Sequence, residues 1–218
     1  MSTNSASSAR DSYLTFRATR RTCRRAPSQT RWVELSVDSI AVQHYYATIA
    51  RFYDAETAGR GDLPCWQSLA GAWKPRRILE YGCGSGRIAV PLAKQAAEWG
   101  GRVCGIDLSA AMLRLARDRW TRERNEAPAS SLALRRGDIR WDDGGGEVDL
   151  VLLADDPLTH LARDADLAAV FRRIGERLRP GGHLAVDASL LPPEATDRRS
   201  SVVVRSSCAV VLANDVLV

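Results

Sequence analysis

The chain has 218 residues, 45% of them hydrophobic and 26% charged, and a formal net charge of +5. That length suits one domain with at most a small appendage, and that composition can bury a core. No window approaches the run of about eighteen apolar residues that a membrane-spanning helix needs, and the N-terminus lacks an apolar core of the secretory type.

The positive charge is concentrated at the start. Residues 1–40 hold Arg10, Arg17, Arg20, Arg21, Arg24, Arg25 and Arg31 against Asp11, Glu34 and Asp38, and the rest of the chain is nearly neutral. Only Lys74 and Lys94 are lysines, so the arginine bias runs along the whole sequence and reads as coding composition. A nucleic-acid surface would gather its charge on one folded face, which disfavours that partner. Cys23, Cys65, Cys83, Cys104 and Cys208 are odd in number and scattered, without a Cys-x-x-Cys pair. With only three histidines, this argues against a disulfide framework and against a metal site, and places the protein in the reducing cytoplasm.

The first 35 residues are rich in Ser, Thr and Arg and lack apolar periodicity, which reads as a disordered tail or a start assigned too early. An organelle transit peptide is the alternative. Residues 36–218 then form one domain, with a helical cover over 36–74, a core over 75–189 and short C-terminal strands over 190–218. Val42, Tyr45, Tyr46, Ile49, Phe52 and Tyr53 recur at helical spacing and predict an amphipathic helix. Trp66, Leu69, Ala70 and Trp73 predict a second, ended by Lys74-Pro75.

From there strands and helices alternate. Arg77 to Tyr81 reads as a strand, and Ile88, Leu92, Ala96 and Trp99 mark a helix that stops at Gly100-Gly101. Arg102 to Ile106 is a second strand, and Ser109 can cap a helix carrying Met112, Leu113, Leu115, Ala116 and Trp120 inward. Leu132 to Leu134 and Val148 to Leu153 are strands three and four. Leu167, Val170, Phe171, Ile174 and Leu178 predict a helix closed by Pro180-Gly181-Gly182, before a fifth strand over Leu184 to Val186. This order gives an α/β, Rossmann-like doubly wound sheet, mainly parallel, with helices on both faces.

Ligands of such sheets bind beyond the carboxyl ends of the strands. There the sequence places Glu80-Tyr81-Gly82-Cys83-Gly84-Ser85-Gly86, then Asp107, then Gly137-Asp138, then Asp155-Asp156. A chain turning at once from strand to helix needs backbone shapes and close approaches that a Cβ blocks, hence the glycines. The helix start behind them favours a carboxylate or phosphate. Asp107 stands where a carboxylate can accept from both hydroxyls of a ribose. A tight turn and a helix cap would explain each element alone; together they point to a nucleoside site. The dinucleotide fingerprint G-x-G-x-x-G fails at Arg87, and Glu80 would sit badly beside a pyrophosphate.

The loop Glu80-x-Gly82-x-Gly84-x-Gly86 resembles that of class I S-adenosylmethionine-dependent methyltransferases, as do "VCGIDLSAAML", "RRGDIRW", "VDLVLLADDPLTHL" and "RIGERLRPGGHLAVDA". The resemblance runs from about Val42 to Ser189. It implies a methyl transfer to N or O of a small molecule, with S-adenosylmethionine as cofactor. It implies that Gly82, Gly84 and Gly86 lie against the methionine part, with Glu80 ordering the loop, and that Asp107 holds the ribose. Leu108 and Met112 would flank the adenine, and Asp138 with the Ile139 backbone would read its amino edge. Tyr53 would close over the methionine end, with Tyr45 and Tyr46 as rivals. Asp155 and His160, after strand four, are the catalytic candidates; a base is optional because the sulfonium is already activated. Asp155-Asp156-Pro157-Leu158 departs from the Asn/Asp-Pro-Pro-Tyr/Phe of adenine and glutamine N-methylation, which disfavours those targets. The C-terminus departs from the family's paired antiparallel strands and reads as shortened. Two alternatives stay open: a nicotinamide-dependent reductase, and a non-catalytic methyltransferase-like binder.

Overall fold

In the computed structural model, which describes residues 37–142, 145–161, 163–189 and 207–213, two helices precede the alternating core. They are α1 (Val37–Thr57) and α2 (Leu63–Trp73). The core follows as β1 (Arg77–Tyr81), α3 (Ala89–Ala97), β2 (Arg102–Asp107), α4 (Ala110–Glu123), β3 (Leu132–Arg136), β4 (Val148–Leu153), α5 (Asp164–Arg177), β5 (Leu178–Ser189) and β6 (Ser207–Ala213). The strands form one sheet in the order β3-β2-β1-β4-β5-β6. The first five strands are parallel, and β6 pairs antiparallel with β5 from His183↔Ala213 to Ser189↔Ser207. Adjacent β1 and β4 send their chains in opposite directions, so the crevice of this sheet opens at their carboxyl ends.

Strand pleating splits the core in two. Ile78, Val103, Leu150, Leu152 and Ala185 point to the face covered by α2, α3 and α4. Leu79, Tyr81, Ile106, Val151 and Leu153 point to the face carrying Val170 and Ile174 of α5. The expected helices therefore flank both faces.

Local chemistry explains the boundaries. Lys74 takes a left-handed turn (φ 45°) and bonds Ala70 O to close α2. Ser109 caps α4 by accepting from Met112 N–H. Pro91 falls in the first turn of α3, where its missing N–H costs little. Two expectations shift. Leu178 opens β5 instead of closing α5, and Pro180-Gly181-Gly182 lies inside β5, where the register slips between Val148 and Leu150. On α1 the buried side is narrower than its apolar pattern: Tyr45 and Phe52 are exposed, as is Phe171 on α5.

The expected tail over residues 1–35 lies outside the described residues, as does most of 190–218. No helix among the described residues is long and apolar enough to cross a membrane, and none of their side chains group as a metal cluster.

Candidate active site

A cavity opens at the crevice between the glycine turn, the ends of β2, β3 and β4, and the α1 helix laid across them. Gly82, Gly84, Asp107, Leu108, Met112, Asp138, Ile139, Tyr53, Asp155 and His160 all line it. Two expected residues do not: Glu80 and Gly86 stand behind the turn.

The turn is built from backbone. Gly82 and Cys83 N–H both donate to Ile106 O, tying the loop to β2. Gly82 (φ +74°) would drive a Cβ to 3.0 Å from Pro157, and Gly86 (φ +77°) one to 3.1 Å from Ala116 of α4. Gly86 thus lets the turn pack closely against α4. Gly84 N–H donates to Asp107 Oδ2 at 2.8 Å, and Ser109 N–H donates to Oδ1 at 2.7 Å. Asp107 ties the loop through these amides, and among the described residues no side-chain hydrogen bond joins Glu80 to it. Glu80 is buried with Oε2 lacking a partner among the described residues, and burial pushes its carboxyl up to about 8. Burial raises Asp107 too, against the opposing pull of its two amide bonds.

At the other end of the cavity Asp138 is fully engaged. Oδ1 accepts from the Arg140 backbone at 3.0 Å and from Nε at 2.9 Å, and Oδ2 accepts from Nη2 at 2.6 Å and from Ser39 Oγ at 3.3 Å. These bonds to Arg140 hold its carboxyl below the usual range against burial. Arg140 is itself buried, and its Nη1 reaches Asp166 at 3.3 Å. Ser39, Arg140 and Asp166, all cavity-lining, were not legible as site residues, because their meeting depends on how α1 and α5 pack.

The loop after β4 is backbone-strained. Asp155 (φ 67°) and Asp156 (φ 53°) both take left-handed shapes, which aspartate tolerates better than most but which still carry strain. α1 holds the side chains: Tyr53 OH donates to Asp155 Oδ2 at 2.8 Å, and Tyr46 OH meets His160 Nε2 at 2.7 Å. Arg60 also pairs with Asp155. Burial lowers the His160 pKa, which leaves the ring neutral near pH 7, and pushes Tyr46 and Tyr53 up to about 12. The two tyrosines share the cover: Tyr53 lies over Gly84, 3.9 Å from where its Cβ would stand, and Tyr46 lies over His160. His183, by contrast, stacks on Trp73 at 4.0 Å.

A parallel sheet with a glycine turn after β1 and an acid ending β2 defines the Rossmann-like nucleoside-binding class. Within it, Arg87 stands where a dinucleotide fold has its last glycine, and pairs with Asp62 at the start of α2. Residues 78–182 match the sequence profile of the methyltransferase domain family. The likeness covers the alternating core, just under half of the chain. A protein of Geobacillus sp. (strain WCH70), whose methyltransferase name is itself provisional, is 30% identical over 149 residues, 65% of this chain and 56% of that protein. The matched part thus spans little more than half of that relative. Among solved structures, Streptomyces venezuelae DesVI is 26% identical with TM-score 0.54, covering 66% of this chain and 58% of its own. CalS10, an amino pentose methyltransferase from Micromonospora echinaspora solved with S-adenosylmethionine bound, is 25% identical with TM-score 0.51, covering 70% and 58%.

Proposed function

We propose that the protein transfers a methyl group from S-adenosylmethionine to N or O of a small molecule. The observation that carries this is Asp107, which closes the glycine turn through Gly84 while facing the cavity. Each of its oxygens accepts one amide bond and keeps a lone pair for a ribose hydroxyl, so the residues fit the cofactor. Leu108 and Met112 offer apolar walls for the adenine, and Gly82 with Gly84 lets the methionine part approach the backbone. Bound there, the cofactor supplies an activated methyl on a sulfonium.

The chain's own part is placement and, for a protonated acceptor, proton removal. Asp155 orients an amine or hydroxyl. His160, neutral and facing the cavity, takes its proton once Tyr46 yields Nε2. The amino pentose methyltransferase among the structural relatives suits an acceptor of small-molecule size. The cover, core and β6 act as one domain from residue 36 onward, and the scattered cysteines fit the cytoplasm. Calorimetric titration tests the reading: S-adenosylhomocysteine is expected to bind and NADH or NADPH not to. Binding of a nicotinamide cofactor, or no binding of the homocysteine nucleoside, sinks it.

A further inference from the structure

By the resemblance to class I methyltransferases, Asp138, the acid after β3, would read the purine amino group. Here that acid is spent. Arg140 and Ser39 together give Asp138 four hydrogen bonds, two on each oxygen, which is the full capacity of a carboxylate. The guanidinium wedged beside it offers only donors, and a purine amino group is also a donor. An adenine arriving in this cavity therefore needs a different acceptor.

Asp166 supplies one. It sits in the first turn of α5 and lines the same cavity as Asp138, Ile139 and Arg140. Its carboxylate is only lightly engaged, by Arg140 Nη1 on Oδ1 at 3.3 Å and by Arg163 Nε on Oδ2 at 3.8 Å, the latter beyond hydrogen-bond range. It keeps lone pairs that Asp138 has lost. We propose that Asp166 is the residue that selects a 6-amino purine, and that Asp138 is a positioning residue whose task is to fix Arg140 against Ser39 and Asp166.

This assignment rests on the proposed cofactor, and one experiment separates the two. S-adenosylhomocysteine and its 6-oxo counterpart, S-inosylhomocysteine, are titrated calorimetrically into the parent protein, Asp166→Asn and Asp138→Asn. The parent is expected to prefer the 6-amino ligand by roughly ten- to a hundredfold, the range of one charge-assisted hydrogen bond. Asp166→Asn is expected to abolish or invert that preference, because a carboxamide can donate to a 6-oxo group. Asp138→Asn is expected to lower the melting temperature and keep the preference. The ratio of two ligands on one variant is insensitive to a general loss of fold. If the preference survives in Asp166→Asn, or vanishes in Asp138→Asn, or is absent from the parent, the assignment is overturned while the cofactor stands. A parent that binds neither ligand overturns both.

Discussion

Asp107 accepts the Gly84 and Ser109 amides on separate oxygens, so one carboxylate shapes the glycine turn and caps the approach to α4. Its register after the glycines was legible because it depends only on chain-local spacing along β1, α3 and β2. Asp107→Ala is expected to weaken S-adenosylhomocysteine binding by roughly ten- to a hundredfold, for charge-assisted bonds of about 1.5–3 kcal/mol, as read by calorimetry. An unchanged affinity would remove Asp107 from the ribose role. Glu80 was legible as part of the motif, but its lack of a partner was not, since burial by the sheet's neighbours decides it. With the folded pKa raised to about 8, the folded state holds a proton that the unfolded chain has already released. Stability from that proton is fully present below the ordinary carboxylate range and is lost as pH rises through about 8. Glu80→Gln stays neutral, so its melting temperature is expected to gain on the parent's steadily from mildly acidic to mildly alkaline pH. A difference that stays flat with pH means that the Glu80 carboxylate is ionised in the fold.

At the level of elements, α1 is held on the core mostly by polar bonds. Ser39 meets Asp138, Gln43 meets Arg136, Tyr46 meets His160, Tyr53 meets Asp155, and Asp54 accepts from Ser85 at 2.6 Å. The helix was predicted from its apolar spacing, yet Tyr45 and Phe52, two of the six residues that carried the pattern, are exposed. Periodicity found the helix and misjudged its width, because polar residues do much of the docking and leave no hydropathy signal. Tyr46 and His160 lie 114 residues apart, a separation that only the folded sheet closes. Deleting the chain through Phe52 removes the cavity wall given by Ser39, Val42 and Tyr46, and is expected to weaken S-adenosylhomocysteine binding. Equal affinity before and after would make α1 a bystander. The β4 loop opposite gives a kinetic test. If His160 is the base, His160→Ala is expected to cut turnover by roughly 10²–10⁴-fold with cofactor affinity kept. The parent's rate should rise with acid-side pH and level off before neutrality, because burial lowers the His160 pKa and the free base is the working form. A variant with full turnover and acceptor affinity means that placement alone carries the reaction.

Across the whole molecule the parallel core was readable because β1, β2 and β4 are short and each is followed by a helix with one inward stripe. Strand character within 190–218 was readable as well, but the pairing of β6 with β5 was not, since an antiparallel edge strand is placed by its partner and not by its own pattern. β6 pairs seven residues of β5, from His183 to Ser189, and so covers the edge of a strand whose Leu184 and Val186 are buried on the α5 face. Without that cover β5 would present unpaired N–H and C=O groups beside apolar side chains, the usual template for edge-to-edge association. A chain ended at Ser189 is therefore expected to melt at lower temperature and to self-associate in light scattering. Its nucleoside site should survive where the fold does, because the cavity's lining ends at Asp166 on α5, well before β6. S-adenosylhomocysteine binding by the remaining monomer is the measurement that separates the two effects. A truncated chain that stays monomeric and melts like the parent would show that β6 contributes nothing to the sheet, while one that stays monomeric but loses the ligand would make the far edge part of the site.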